Sequence, residues 1–584
     1  MLKTDRQVVQ HTVVETPPAS PISPEQTPLH TSRSMPLRAH ALLPAMLACF
    51  ILLSGAFSLQ GLMFFSSLLG DLFPWTIQLS HLLFPGQALN PRLFHHNLPT
   101  PSVLTSWTHT SLVAALFLLI GGLYLLALRI LPQRTRLRVV FVGALLLGLI
   151  WAFMPIVTSA DLFSYIAYAR MGVIYHLNPL IQTPHAIWHD PVYINIYWTD
   201  QPSVYGPVYT GLTYALQWLC GMLFGTQNVA VMVLALRLLD LATHLGSTWL
   251  IWSIGGYLQG SKQSPRQRML ATLAFAWNPL LLFEACVNAH NDTLVLFFIL
   301  LALWFLVRTG QPTWRTHLLV ALNLSLATCI KVNVGILLPG YLCYLLACTP
   351  KGTLWQRLRQ PLLVLLGIAL SMVLLYAPFW DNGQILALLK VNPGTYRAIN
   401  TVPELLTHII NSLFLPSAPE NSSLTEFIMR DLSLLLFFLG FALICWQGLR
   451  PATAPRTPLA LIRWMALAWL LYMGLGSPWY WPWYAITFFG LFALVESATS
   501  AKEWQELATR IPFLPAINIP VAVHILGITM ASTYCFFAWP AVTTFLPFLP
   551  GFRVAFLRSI WTWIVPILLG RIAWVRRQYL IRMR

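Results

Sequence analysis

Apolar runs of about twenty residues alternate with short polar segments along most of this chain, a pattern typical of a polytopic helical membrane protein. Lipid offers backbone amides and carbonyls no hydrogen-bond partner, so each crossing segment must be a helix. We therefore predict an all-α fold with about fourteen transmembrane passes. The predicted spans cover residues 41–63, 110–130, 138–157, 229–257, 269–286, 292–308, 317–329, 333–348, 361–379, 431–449, 459–475, 482–497, 516–540 and 553–575.

Basic residues cluster in the short loops between these runs. Loops that face the cytoplasm carry an excess of Lys and Arg, so the clusters predict orientation. All of them face the cytoplasm only if the apolar segment 206–225 does not cross, and we predict that it is a helix lying in the outer interface. The net charge of +17 then reports orientation in the plasma membrane and indicates no nucleic-acid partner. The clusters contain Arg129, Arg134, Arg136 and Arg138; Lys262, Arg266 and Arg268; Lys351, Arg357 and Arg359; Arg450 and Arg456; and Arg576 and Arg577.

Four regions follow from this pattern. Residues 1–37 are polar and rich in proline, which predicts a disordered cytoplasmic tail. We predict that residues 38–350 form a first membrane module with a large outer loop at 158–228, and that residues 351–575 form a second transmembrane module with an outer loop at 380–430. Residues 576–584 are a basic cytoplasmic tail, so both termini are predicted to be cytoplasmic.

Charge is scarce, at 9% of residues, so an acidic group at the edge of an apolar run indicates function. Asp161 follows such a run and starts a short amphipathic segment that we predict to rest on the bilayer surface. Helix capping and catalysis both explain an aspartate there, and the two roles are compatible. The acids Asp190 and Asp200, further along this loop, are predicted to be solvated.

Two other stretches place polar groups near the same face. His290, Asn291 and Asp292 precede or begin a helix, whose free N–H groups favour anions; capping by Asn291 or Asp292 is the alternative. Lys331 interrupts an apolar stretch and is predicted at the outer tip of a hairpin, where it either neutralises a phosphate or extends to the headgroups. Glu284 is a costly intramembrane acid for which the sequence offers no partner.

Two further features have competing interpretations. Arg237 and Asp240 share one side of a helix, as a buried ion pair or with Arg237 as a phosphate ligand. The aromatic stretch 478–484 is either an interfacial belt or a surface that stacks on a sugar or an isoprenoid.

Several familiar signals are missing from the sequence. It contains no P-loop, no dinucleotide-binding G-x-G-x-x-G, no G-x-S-x-G and no H-E-x-x-H. Its eight cysteines lie in or beside apolar segments without C-x-x-C spacing, so we expect neither disulfides nor a zinc site. No cofactor or metal is required, although Asp161 with Asp190 or Asp200 would suit a divalent ion.

The order of these motifs, over roughly residues 140–340, resembles the GT-C glycosyltransferases. It is most similar to the actinobacterial polyprenol-phosphomannose-dependent α-1,6-mannosyltransferases. One departure is Ala289, where relatives often have glycine. The motifs are Ser159-Ala160-Asp161 with Tyr165, His176-Leu177-Asn178-Pro179, Tyr205-Gly206-Pro207, Asn278-Pro279, Asn288-Ala289-His290-Asn291-Asp292 and Lys331, with weaker similarity in the aromatic stretch.

The resemblance implies an inverting transfer of a sugar, mannose by analogy, on the non-cytoplasmic face of the membrane. The donor would be a polyprenyl-phosphate sugar drawn from the lipid bilayer, and the acceptor a hydroxyl of a glycan or glycolipid. The acidic residue that GT-C enzymes place in the first long outer loop corresponds to Asp161, which we expect to act as general base.

We expect the remaining polar residues to bind the substrates. Binding of the donor phosphate is assigned to Lys331, His290 and Arg237. Contacts with the sugar or the acceptor are assigned to Asp292, Asn291, Tyr165, Asn178 and Tyr205.

Two alternative functions remain open for the sequence. One is a transporter or flippase for a lipid-linked solute, and the other is a lipid-linked polysaccharide ligase or polymerase.

Overall fold

A computed structural model describes the chain in eleven ranges: 41–53, 107–133, 135–153, 159–260, 264–349, 352–390, 401–414, 431–477, 479–510, 516–537 and 556–582. The predicted tail at 1–37 lies outside these ranges. Within them the fold is an all-α membrane protein, which confirms the predicted class. Its main helices are α1 (Ala41–Leu53), α2 (Trp107–Ile130), α3 (Leu137–Ala152), α4 (Asp161–Val173), α5 (Pro207–Phe224), α6 (Val229–Gln259), α7 (Pro265–Ala276), α8 (Pro279–Cys286), α9 (Asp292–Arg308), α10 (Trp314–Thr328), α11 (Leu338–Cys348), α12 (Leu354–Tyr376), α13 (Val402–Phe414), α14 (Ser433–Leu449), α15 (Pro458–Leu471), α16 (Ala485–Ala498), α17 (Ala501–Arg510), α18 (Ile519–Ser532) and α19 (Val565–Arg582).

Four helices among the described residues are long and apolar enough to cross a bilayer by themselves. They are Val229–Gln259, Leu354–Phe379, Pro458–Gly476 and Phe556–Leu580, and the bent pair α7–α8 adds a fifth if it forms one span. Shorter apolar helices occupy most of the other predicted spans. The total of about fourteen passes therefore stays a prediction.

The break between α7 and α8 shapes the centre of the molecule. Asn278 caps α8 by accepting a hydrogen bond on Oδ1 from the Leu280 amide at 3.0 Å, and Pro279 cannot continue the preceding helix. The two helices meet at a bend of 43°. After α8 the chain turns sharply through Ala289, whose φ of 52° is a conformation that favours glycine, and α9 begins at Asp292.

The helices enclose one continuous apolar core. α9 packs against α6 and α10, while α4 packs against α5 and α6. The prediction that the segment after Asp161 rests on the bilayer surface is wrong, because Leu162, Ile166 and Arg170 of α4 are almost fully buried in protein. α5 instead exposes an apolar edge that includes Trp218 and Phe224, and its position in the outer interface stays a prediction.

Buried polar contacts fix the outer loop that follows Asp161. Asp190 is not a solvated acid: it is 3% exposed and receives one bifurcated hydrogen bond from Arg170 Nε, at 2.8 and 2.9 Å, and one from Nη2 at 2.7 Å. The Tyr175 hydroxyl donates to the same carboxylate at 2.9 Å. Asp200 is exposed, as predicted for a loop acid. The Arg170–Asp190 pair therefore stiffens the loop from within.

The structure adds two details to the C-terminal part. α19 continues to Arg582, so the described residues after 575 belong to a helix that also includes apolar positions. The outer loop predicted at 380–430 contains α13, which Glu404 joins to the last helical segment by an ion pair with Arg558 at 2.6 Å.

Candidate active site

Asp161 is the first residue of α4, where its carboxylate faces neighbouring polar groups. The Tyr205 hydroxyl donates a hydrogen bond to Asp161 Oδ2 at 3.4 Å, and Trp198 provides a second hydrogen bond. Burial raises the pKa of Asp161 to about 6, although the nearby Lys331 and these two hydrogen bonds lower it. Above pH 6 this carboxylate is therefore mostly ionised and able to accept a proton.

Gly206, which has no side chain, allows the backbone at Tyr205 to reach this position. The Gly206 amide donates to the Ile330 carbonyl at 3.0 Å, and the Val208 amide donates to the Cys329 carbonyl at 3.2 Å. A Cβ atom on Gly206 would lie only 2.1 Å from the Cys329 oxygen, so a side chain does not fit here. The start of α5 is thereby joined to the end of α10, immediately before Lys331.

Lys331 and Asp292 form an ion pair beside Asp161. Lys331 Nζ lies 2.9 and 2.8 Å from the two carboxylate oxygens and 4.1 Å from the centre of the Tyr484 ring. The Asp292 side chain is 1% exposed and that of Lys331 is 15% exposed, so the lysine is directed into the protein toward Asp292. Both groups influence the pKa of Asp161, which places one positive and two acidic groups within electrostatic range.

His290 is held on three sides. Its Nδ1 lies 3.3 Å from the Tyr165 hydroxyl, its ring stacks on Trp483 with the ring centres 4.0 Å apart, and its Nε2 lies 3.5 Å from Glu284 Oε2. Burial, together with the positive charge of Lys331, holds the pKa of His290 well below its usual range. The imidazole is therefore neutral at neutral pH and carries one N–H.

Glu284 has the partners that the sequence could not supply. Its Oε1 accepts a hydrogen bond from the Tyr534 hydroxyl at 2.6 Å, and its Oε2 accepts one from Asn288 Nδ2 at 2.8 Å. Asn291 is also fully buried, but its side chain makes no capping hydrogen bond, and neither amide atom has a partner among the described residues. A ligand or water hydroxyl would satisfy such an amide.

Some predicted site residues lie in structural contacts. Arg237 is fully buried and donates to the carbonyl oxygens of Ala152, at 2.8 Å, and Val287, at 2.9 Å. Asp240 has a hydrogen bond with Thr293. Asn178 donates to the Phe379 carbonyl at 3.1 Å and so ties the outer loop to the end of α12.

A divalent-ion site built on the outer-loop acids has little support from the contacts. Arg170 occupies the Asp190 carboxylate, and Asp200 is exposed. Among the described residues, no group of three or more His, Cys, Asp or Glu side chains could hold a metal ion.

Aromatic side chains that were not predicted as site residues also line this site. Trp483 stacks on His290 and Tyr484 lies beneath Lys331, so these two residues of the aromatic stretch face the candidate site. Trp198 and Tyr534 contribute hydrogen bonds to Asp161 and Glu284. The dense aromatic motif was visible in the sequence, but nothing in it indicated which residues these rings contact.

Comparison with known proteins finds a family match in the chain's N-terminal part. Residues 83–347 match the family model described as alpha-(1->6)-mannopyranosyltransferase, N-terminal domain. No curated protein matches the chain. The crystal structure of ArnT from Cupriavidus metallidurans bound to undecaprenyl phosphate is similar at 15% identity and a TM-score of 0.39, covering 74% of this chain and 75% of that one.

The matched range contains Asp161, Glu284, His290, Asp292 and Lys331. The match favours the transferase among the functions considered above, because the family that it names is one of transferases. The N-terminal part of this membrane protein, residues 83–347, therefore resembles the N-terminal domain of the alpha-(1->6)-mannopyranosyltransferases.

Proposed function

We propose that this protein transfers mannose, with inversion, from a polyprenyl-phosphate carrier to an acceptor hydroxyl of a glycan or glycolipid on the extracytoplasmic face of the membrane. The observation that carries the proposal is the Asp161 carboxylate, whose pKa burial raises to about 6, in electrostatic range of the Lys331–Asp292 ion pair. A base and a cation at one site are what a displacement at a sugar phosphate needs.

In the proposed reaction, Asp161 takes the proton of the acceptor hydroxyl as its oxygen attacks the anomeric carbon of mannose. The attack comes from the face opposite the phosphate, and the bond between that carbon and the phosphate oxygen breaks. A single displacement inverts the anomeric centre, so an α-linked product requires a β-linked donor. The lipid leaves as a phosphate monoester.

Lys331 is proposed to stabilise the negative charge that develops on the departing phosphate. Asp292 holds the ammonium in place through both of its oxygens, and the partial exposure of Lys331 leaves room for a phosphate oxygen to approach. His290 lies behind this pair in a neutral form, and we propose that it orients neighbouring groups. We propose a structural role for Arg237, since its guanidinium holds the backbone at residues 152 and 287.

The sugar and the acceptor are proposed to contact the polar groups around this centre. Asn291 offers an amide without a described partner, and Tyr165 and Tyr205 line the approach to Asp161. Lys331 supplies positive charge at the site, so the mechanism needs no metal ion.

The test is a donor comparison with purified, membrane-reconstituted protein. Radiolabelled polyprenyl-phosphate mannose and its glucose and arabinose analogues are each incubated with octyl α-mannoside as acceptor. We expect transfer from the mannose donor alone, and NMR of the product should show an α-1,6 linkage formed from the β donor. Transfer only from a diphosphate-linked donor, or retention of the donor anomer, would contradict the proposal.

A further inference from the structure

We propose that Glu284 is a positioning residue that controls the general base Asp161 through a line of hydrogen-bonding groups. The line runs through His290, Tyr165 and Tyr205. The inference rests on the proposed function of Asp161, and it assigns a role to a buried acid that the reaction itself does not use.

Four successive contacts make up the line. Glu284 Oε2 lies 3.5 Å from His290 Nε2, a close contact in which Nε2 makes no hydrogen bond among the described residues, and His290 Nδ1 lies 3.3 Å from the Tyr165 hydroxyl. The Tyr165 and Tyr205 hydroxyls are hydrogen-bonded, and the Tyr205 hydroxyl donates to Asp161 Oδ2 at 3.4 Å. Glu284, His290 and Tyr165 are almost fully buried, so bulk water does not compete for these contacts.

The inner end of the line is firmly fixed. Tyr534 and Asn288 donate to the two oxygens of Glu284, at 2.6 and 2.8 Å. Trp483 stacks on the His290 ring at an interplanar angle of 18°, which prevents the ring from turning away. His290 therefore presents Nδ1 to Tyr165 and Nε2 to Glu284.

The direction of the hydrogen bonds depends on which nitrogen of the neutral ring carries the hydrogen. When Nδ1 carries it, His290 donates to Tyr165, Tyr165 donates to Tyr205, and Tyr205 donates to Asp161. The carboxylate of Asp161 then receives a donor and is stabilised in its ionised form. Nε2 is left as an acceptor facing Glu284, which satisfies it only when Glu284 is protonated.

The opposite arrangement weakens the base. When Glu284 is ionised, the hydrogen of the His290 ring stays on Nε2, and Nδ1 accepts a hydrogen bond from the Tyr165 hydroxyl. The Tyr205 hydroxyl then has one hydrogen but two possible acceptors, the Tyr165 oxygen and the Asp161 carboxylate. This favours the protonated form of Asp161, which donates a hydrogen bond to Tyr205. The two carboxyl groups thus share one proton: a protonated Glu284 keeps Asp161 ready to accept a proton from the acceptor hydroxyl.

Other titratable groups face the two ends of the line and would remain in place in the variants below. Around Asp161 they are Lys331, Asp292, Tyr168, Tyr209, Tyr484 and Tyr534; around Glu284 they are Asp292, Tyr480 and Tyr534.

Glu284→Gln and Glu284→Met separate hydrogen bonding from packing. In Glu284→Gln, the Tyr534 hydroxyl donates a hydrogen bond to the amide oxygen of the glutamine. This hydrogen bond orients the glutamine so that its NH₂ group faces His290. Glutamine therefore replaces the protonated acid as a donor, provided that Asn288 rotates its amide to accept. Methionine fills similar space without a donor.

The pH dependence of kcat/KM, with polyprenyl-phosphate mannose and octyl α-mannoside, measures the effect on Asp161. We expect Glu284→Gln to retain the acid limb of the profile. Glu284→Met should move that limb upward by about one pH unit, because the ionised base loses a hydrogen bond, and should lower kcat/KM about fivefold at pH 6. Tyr165→Phe should cause the same shift, and adding Glu284→Met to it should cause no further shift.

Glu496 provides a matched control. It forms a buried pair with His524, with Nε2 and Oε1 3.0 Å apart, and that pair leads to Tyr124 instead of the candidate site. Glu496→Gln and Glu496→Met should therefore leave the acid limb unchanged.

Three results would overturn the inference: an unmoved acid limb in folded Glu284→Met, an equal shift in Glu284→Gln, or shifts that add in the double variant. If Glu284→Met does not fold, an unmoved limb in Tyr165→Phe overturns it. Full activity of Asp161→Asn would instead refute the proposed function, so the two failures are distinguishable.

Discussion

At the scale of single residues, the candidate site depends on a few charged groups, in a chain in which only 9% of the residues are charged. Burial disfavours the ionised form of Asp161 and raises its pKa, while the charges of Asp292 and Lys331 neutralise each other. A carboxylate whose pKa lies near the working pH is ionised yet still basic enough to take a proton. The carboxyl groups of Asp161 and Asp292 therefore play different roles because their surroundings differ, and not because of their own chemistry.

The acid limb of the reaction should report Asp161. Because burial raises the pKa of Asp161 to about 6, lowering the pH through that value protonates the base and removes its ability to accept a proton. We expect kcat/KM to be flat above this pH and to fall tenfold per pH unit below it. A limb near the ordinary aspartate pKa of about 4 would contradict this environment.

Lys331 should be essential for transfer, and a double substitution separates that role from folding. Lys331→Met alone leaves Asp292 buried without its cation, which costs about 3–5 kcal/mol of folding stability. Combining Lys331→Met with Asp292→Asn removes both charges, so we expect thermal stability to recover. Turnover should stay reduced about 100-fold or more, because the leaving phosphate lacks its cation. Wild-type turnover in that double variant would refute the assignment.

The sequence predicted these residues better than it predicted their contacts. Asp161, His290, Asp292 and Lys331 stand out because acidic and basic groups are rare beside apolar runs. Trp483 stood out only as part of an aromatic stretch, and Tyr534 did not stand out, since aromatic residues are common at membrane interfaces. Asp190 was misjudged because its partner, Arg170, lies twenty positions away, and only the folded loop brings the two together.

At the scale of elements, helix ends bring distant residues together. The start of α5 docks on the end of α10, the turn after α8 presents His290, and α4 begins at Asp161. Residues 269–286 were predicted as one span, so the break between α7 and α8 was not predicted, although asparagine caps and proline interrupts helices. The burial of α4 was not predictable, since an amphipathic pattern does not tell whether its apolar side meets lipid or protein.

Gly206 tests this docking directly. Gly206→Ala places a Cβ 2.1 Å from the Cys329 oxygen, so the start of α5 must move and Tyr205 must leave Asp161. We expect kcat/KM to fall about tenfold or more, by the loss of a well-placed catalytic group. Gly211→Ala, in the same helix with nothing within 4 Å of its Cβ, is the control and should retain activity. Equal activities of the two variants would contradict the docking.

At the scale of the whole molecule, the helices gather the catalytic candidates at one site while the rest of the chain provides an apolar body. The sequence predicted the membrane class because lipid leaves no choice of secondary structure. The number of passes was harder to predict, since many described apolar helices are short or broken. Orientation stays a prediction based on the basic loops.

Labelling of single cysteines measures that orientation. Cys348 is the exposed native thiol, so Cys348→Ser provides the background for Asp200→Cys in the outer loop and Lys502→Cys in α17, both at exposed positions. We expect a membrane-impermeant maleimide to label position 200 in intact cells and position 502 only after the membrane is opened. The reverse pattern would place the site on the cytoplasmic face.

The central claim is that Asp161 is the base of a mannosyl transfer. Its most direct test is the rate of mannose transfer from polyprenyl-phosphate mannose to octyl α-mannoside by purified Asp161→Asn protein, with its fold checked by thermal unfolding. Asparagine keeps the size of the side chain and cannot take a proton, so we predict a loss of about 100-fold or more. Transfer at the wild-type rate by this folded variant would contradict the mechanism.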